Sequence, residues 1–267
     1  PRAAGEIDQA YADAAANLDR LILPDGGYDE GPGYLNEMLR AYLMAMHLYA
    51  RARNQPFEAG LHPSLFTIND YVEAVASTDE NRYFMPLCDG ARSDQEIFDH
   101  FGLMARLMPD SVWTRLYAKY RAQTRGLPTE VFDFLGAPDP RSVAPYSLRP
   151  FVELPHTGYC ASLRELGGEW LKLLILGSKA QAGHAHDDIG SFILEFAGDT
   201  FADDAGMSNY SHPDVALFKS SRYHNMLIPV GVPDLLRRGP VDRPASPVRG
   251  RGEIGRASCR ERVWTVV

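Results

Sequence analysis

The chain has 267 residues, 45% of them hydrophobic and 23% charged, with a formal net charge of −8. That length suits one large domain or two modest ones with buried cores, in an ordinary globular balance. The acidic balance argues against general nucleic-acid binding, which leaves a basic footprint, and no apolar run approaches the roughly 20 residues that cross a bilayer. Cys88, Cys160 and Cys259 are too few and too scattered for a disulfide framework or a metal-ligand pattern. A polyanionic substrate stays open, because a local basic cleft can sit on an acidic surface.

The first half reads as helices. Ile7, Tyr11, Ala14, Leu18, Leu21 and Ile22 recur at helical spacing until Pro24 and Gly26-Gly27 stop the run. Leu35, Met38, Leu39, Tyr42, Leu43, Met46 and Tyr49 repeat the pattern after Gly31-Pro32-Gly33, and His47 falls on that packed face. Further helices are expected over 64–76, 94–108, 110–125 and 128–135. Pro138, Pro140, Pro145 and Pro150 then punctuate a segment without periodicity, which marks a domain boundary. Beyond it come short β-type runs at 151–154, 159–163, 170–176, 191–196 and 226–230, with Gly167-Gly168, Gly177 and Gly198-Asp199 as turns. Helices followed by strands, rather than alternating with them, predict an α+β, multidomain chain. A helical unit over 1–140 precedes an antiparallel β-sandwich unit over 146–232. Residues 233–267 are rich in Arg, Pro and Gly and are expected to have little order. Residues 253–267 resemble a translated sequencing adapter and are expected to be a non-native tail.

The densest chemistry lies in Gly183-His-Ala-His-Asp-Asp-Ile-Gly-Ser-Phe192. On an extended backbone, His184 and His186 share a face. Imidazole is a common zinc ligand, and Asp204 and His224 are candidates to complete such a site. A polar loop with surface histidines is the alternative that spacing alone leaves open.

The ordered set resembles the heparinase II/III family: the His184-Ala-His186 segment, Gly198, Asp204-Ala-Gly206, His224-Asn225, and upstream Glu30-Gly-Pro-Gly-Tyr34. The resemblance implies an α/α-toroid, incomplete here, followed by a β-sandwich. It also implies β-elimination on an acidic, uronate-containing polysaccharide such as heparin, heparan sulfate or alginate. By motif position Tyr34 and His184 match the catalytic pair, and His186, Asp204 and His224 match the ligands of a Zn2+ ion. A phenol with a reference pKa near 10 needs positive neighbours to act as a base at neutral pH. Glu30 and Arg222 are substrate-binding candidates, with Lys219 beside Arg222 as a further cation. Asp187 and Asp188 are expected to brace the histidine loop, and Asn225 the turn at His224.

The family's further His or Asn, from a helix well upstream of the tyrosine, would fall before Pro1, so the chain is expected to be a fragment. The same resemblance implies a bacterial periplasmic, cell-envelope or secreted setting. Two other classes compete. His184-Ala-His186-Asp-Asp188 superficially fits a metal-dependent hydrolase of the metallo-β-lactamase type, but Ile189 stands where that pattern has another His. A non-catalytic carbohydrate-binding protein that has kept the lyase fold is the second.

Overall fold

The structure, a computed structural model, describes residues 2–90, 98–124, 132, 136–177, 184–207, 210–227, 257–259 and 262–264. The chain divides into two compact units: Pro1–Tyr28, Tyr34–Val72 and Ile97–Ser147, then Asp29–Gly33, Glu73–Glu96 and Leu148–Val267. Two segments from the helical half of the sequence therefore belong with the strands.

In the first unit, α1 (Arg2–Leu21) and α2 (Gly31–Ala52) are the two long helices, and Tyr11 stacks on Tyr49 at 4.2 Å. Their buried stripe includes Leu18, Leu35, Leu39, Leu43 and Met46, as the spacing predicts. Half-buried His47 lies 6.0 Å from the Phe57 ring, a packed residue. After α1 the chain turns at Gly26, where φ is +79° and a Cβ would lie 1.9 Å from the Thr67 carbonyl oxygen. Only glycine fits there.

The helix expected over 64–76 is broken at Ile68 into α3 (Ser64–Thr67) and α4 (Asn69–Val75). The Thr67 hydroxyl donates to the Ser64 carbonyl, giving the backbone a competing partner at the break. The next two expected helices appear as α5 (Phe101–Leu107) and α6 (Val112–Thr124). They pack around buried Phe101, Trp113, Leu116 and Tyr117, with the Phe101 and Trp113 rings 5.9 Å apart. Residues 91–97 lie outside the described residues, as does the helix expected over 128–135 apart from helical Phe132.

The second unit is built on one antiparallel sheet in sequential order, β1 (Phe151–Leu154), β2 (Tyr159–Leu166), β3 (Glu169–Leu176), β4 (Ser191–Phe196) and β5 (Asp199–Ala202). β2 and β3 are joined through Gly167-Gly168, both at positive φ, and β4 and β5 through Ala197-Gly198 in the same conformation. These are two-residue turns whose backbone twist suits a hairpin. β5 was not among the expected strands. Four residues after a turn are too few to display an alternation.

One face of the sheet buries Val152, Leu154, Tyr159, Ala161, Leu174, Leu176 and Ile193. The other carries Phe151, Ile175, Phe192 and Phe201, each between 37% and 49% exposed. A helical unit and an antiparallel sheet unit in separate stretches of the chain agree with the α+β class read from the sequence.

Two buried ionic groups attach residues 73–78 to the middle of this sheet. Lys172 and Glu195 are opposite each other on β3 and β4. The Lys172 ammonium donates to the carbonyls of Glu73 (3.1 Å) and Ala76, which the end of α4 leaves without helical partners. Glu195 accepts from Ser77 Oγ (2.5 Å), Thr78 N (2.6 Å) and Thr78 Oγ1 (2.7 Å).

After Ala202 the chain continues through a one-turn helix, α7 (Val215–Phe218), and a 3₁₀ turn, Ser221–Tyr223. Of the strand expected over 226–230, Leu227 forms a single bridge and 228–230 lie outside the described residues. Residues 228–256 are likewise outside them. Within the segment expected to lack order, Ala257–Cys259 (β6) and Arg262–Trp264 (β7) pair antiparallel. Among the described residues no helix is long and apolar enough to cross a membrane.

Candidate metal centre

The loop before β4 carries the paired histidines. Gly190 N donates to the Leu176 carbonyl, Ser191 N to the Asp188 carbonyl, and Asp187 N to the Lys219 carbonyl. The histidine loop is thereby tied to β3 and to the segment after α7. Asp187 and Asp188 thus contribute backbone bracing, and the Asp188 side chain is also buried. Gly183 lies outside the described residues.

His184 and His186 have different surroundings. The His184 side chain is 29% exposed, with its Nδ1 3.5 Å from Glu30 Oε2. Glu30 is therefore a neighbour of the motif histidine. His186 is buried, and its Nε2 is 2.9 Å from Asp89 Oδ1.

Asp204 follows β5 and is buried. Its Oδ1 accepts from Gly206 N at 2.8 Å and its Oδ2 lies 2.9 Å from His224 Nδ1. Gly206 has φ +54°, and a Cβ there would lie 2.4 Å from the Gly90 carbonyl oxygen, so the motif glycine lets two backbones touch. Met207 N donates to that same oxygen. Next to Asp204, Asp203 is gripped by Arg82 through two parallel bonds of 2.8 and 2.9 Å. His224 follows the 3₁₀ turn and is fully buried. Asn225 donates to the carbonyls of Phe192 and Asp203, fixing that turn as expected.

The rings of His186 and His224 are 5.2 Å apart. One ligand-type atom from each of His186, Asp204 and His224 lies within 4.8 Å of the others, and all three residues are buried. Among the described residues this is a group able to hold a metal ion. His186 Nδ1 and His224 Nε2 are buried with no hydrogen-bond partner. Orphaned polar atoms of this kind cost about 1–3 kcal/mol each unless something satisfies them.

Burial alone would raise the Asp204 pKa. The charge and hydrogen bond of His224, with His186 and the Gly206 amide, instead hold it below the usual carboxylate value. Burial would lower the His224 pKa, but Asp204 pushes it up. Asp89 behaves like Asp204: burial opposes ionisation, and hydrogen bonds from His186, Lys219 and Tyr210 overcome it.

The other sequence candidates are placed as follows. Tyr34 is half-buried in the first turn of α2, within the helical unit. Arg222 is exposed. Lys219 Nζ lies 2.9 Å from Asp89 Oδ2, so its ammonium is engaged inside the protein. Asp89 itself had no sequence signal: it sits in the aperiodic run Pro86-Leu-Cys-Asp-Gly90.

Residues 147–254 match the family described as heparinase II/III-like, C-terminal. The match contains the whole five-stranded sheet and all three residues of the buried cluster. No curated protein sequence matches the chain. Among solved structures, the chain is similar to a heparan sulfate lyase HepC mutant from Pedobacter heparinus, at 15% identity over 82% of this chain and 32% of that one, with a TM-score of 0.54. It is also similar to a protein described as heparinase III, at 15% identity over 85% and 35% of the two chains, with a TM-score of 0.60. A second heparinase III shares 12% identity over 82% and 32%, with a TM-score of 0.55. The chain thus spans about a third of the length of these structures, and at such identities the likeness is one of fold. Residues 147–254 thus match the heparinase II/III-like C-terminal family, and over most of its length the chain shares the fold of these structures.

Proposed function

We propose that the chain belongs to a polysaccharide lyase that cleaves a uronate-containing polysaccharide by β-elimination, with a zinc ion held by His186, Asp204 and His224. The observation that carries this reading is the buried cluster of those three residues. It is assembled from separate parts of the sequence, from the residues that the resemblance implies as ligands, with His184 on the same loop as His186. Two imidazoles and a carboxylate are a donor set suited to zinc, and the orphaned ring nitrogens are consistent with a bound cation. When bound, the ion would supply positive charge and hold together the loops that end at His186, Asp204 and His224.

In the elimination, a base removes the proton on the carbon beside the uronate carboxylate. Those electrons form a carbon–carbon double bond as the neighbouring carbon–oxygen bond breaks, and an acid protonates the departing glycosidic oxygen. Tyr34 and His184 are the groups assigned to this proton traffic. Glu30, 3.5 Å from His184 Nδ1, steadies that ring from one side. Exposed Arg222 is the candidate partner for a uronate carboxylate. The structural relatives described as heparan sulfate lyase and heparinase III make heparan-type chains the first substrates to try, with alginate next. A periplasmic or cell-envelope setting accompanies this reading.

The test is to incubate the full-length protein with heparan sulfate and with alginate, following ultraviolet absorbance of an unsaturated uronate together with new reducing ends. Both signals should rise together. Reducing ends without the absorbance would indicate hydrolysis, and binding without either product would indicate a non-catalytic carbohydrate-binding protein; each contradicts the proposal.

A further inference from the structure

We propose that Asp89 sets the tautomer and orientation of His186, so that His186 meets a metal ion through Nδ1. The Asp89 side chain is fully buried and is not one of the three clustered ligands. Its Oδ1 lies 2.9 Å from His186 Nε2. An ionised carboxylate only accepts hydrogen bonds, so Nε2 must be the nitrogen that carries the proton. The lone pair is then on Nδ1, the ring atom that is buried and without a hydrogen-bond partner. A carboxylate behind a ligating imidazole fixes the ring and raises its basicity toward the ion.

The rest of the Asp89 environment keeps that carboxylate charged and still. Its Oδ2 accepts from Lys219 Nζ at 2.9 Å and from Tyr210 Oη at 2.8 Å. The Lys219 carbonyl in turn accepts from Asp187 N, on the loop between His186 and β4. One residue therefore neutralises Asp89 and ties down the chain next to His186. This assigns Lys219 and Tyr210 to the support of the site rather than to substrate.

The inference rests on the zinc reading, and the experiment separates the two. Zinc affinity is measured by competition with a chromophoric chelator for the unsubstituted chain, Asp89→Asn, His186→Ala and Tyr210→Phe. Asp89→Asn should weaken binding about 10–100-fold, while Tyr210→Phe, which leaves the carboxylate on Nε2, should change it less than Asp89→Asn does. Nitrogen-15 NMR of the metal-free unsubstituted chain, which requires no variant to fold, should show the neutral His186 ring protonated on Nε2. A purely structural role would lower the melting temperature of metal-free Asp89→Asn without altering zinc affinity. Protonation on Nδ1, an affinity unchanged in Asp89→Asn, or a loss as complete as in His186→Ala would overturn the role given to Asp89. If the unsubstituted chain binds no zinc, the metal reading fails first and this role fails with it.

Discussion

His100 in the helical unit and His224 in the sheet unit are both buried, yet their surroundings drive them in opposite directions. His100 lies 5.1 Å from the Phe101 ring and 6.1 Å from the Trp113 ring, and neither of its nitrogens has a hydrogen-bond partner. Burial, with a smaller contribution from Arg40, pushes its pKa down to about 3. His224 has a carboxylate at 2.9 Å, and Asp204 raises its pKa despite the burial. Burial of a histidine is therefore no sign of a site. What distinguishes the sheet unit is a second imidazole and a carboxylate within ligand range, each anchored by further bonds.

The contrast gives opposite pH slopes for the metal-free protein. The His224 contribution is complete below the unfolded-state value near 6.5 and is lost as pH rises through its raised folded-state pKa. The Asp204 contribution is present above roughly 4 and is lost as pH falls through its lowered folded-state pKa. His100 acts in the other sense: its depressed pKa favours the folded state above about 6.5 and costs stability as pH falls toward about 3.

The comparison breaks most visibly at Asp204. Asp204→Ala should destabilise the metal-free chain by about 3–5 kcal/mol near pH 6 in chemical unfolding, because it strands a buried imidazolium. A cost under about 1 kcal/mol would mean that the pair contributes little. Glu195→Gln should cost about 1.5–3 kcal/mol in the same measurement, by weakening charge-assisted bonds to Ser77 and Thr78 beside buried Lys172. This asks whether the sheet unit needs its interior charges elsewhere too. His100→Leu should flatten the acid limb of the stability curve by up to about 1.4 kcal/mol per pH unit between about 6.5 and about 3. An unchanged acid limb would show that His100 is not the group responsible. For activity, Tyr34→Phe and His184→Ala should each lower kcat by about 10²–10⁴-fold in the elimination assay, with the fold and zinc content retained.

Much of the sheet was legible because strand residues alternate in type. β1 and β4 have the expected limits, and β2 and β3 extend the expected runs at one end. The three residues of the buried cluster were also readable, since histidines and an aspartate in a fixed motif order are rare enough to stand out. Asp89, Arg82 and Lys172 were not. Each acts on a partner about a hundred residues away in sequence, and no local pattern encodes a contact of that range. The same distance concealed that residues 73–96 belong with the strands: Lys172, Glu195, Asp203 and His186, which bond to them, are isolated polar residues far along the chain. The break at Ile68 was hidden for a different reason. Apolar spacing continues through it, and the Thr67 side-chain bond that marks it becomes visible only in three dimensions.

The most direct test of the central claim, that paired burial in the sheet unit makes a metal site, is a zinc titration of the metal-free chain. One equivalent should bind and raise the melting temperature, with release of protons as the His224 imidazolium gives way to the ion. His224→Ala should abolish that binding, while His100→Leu should leave it intact. Failure of the unsubstituted chain to bind zinc, or binding that survives His224→Ala unchanged, would contradict the account.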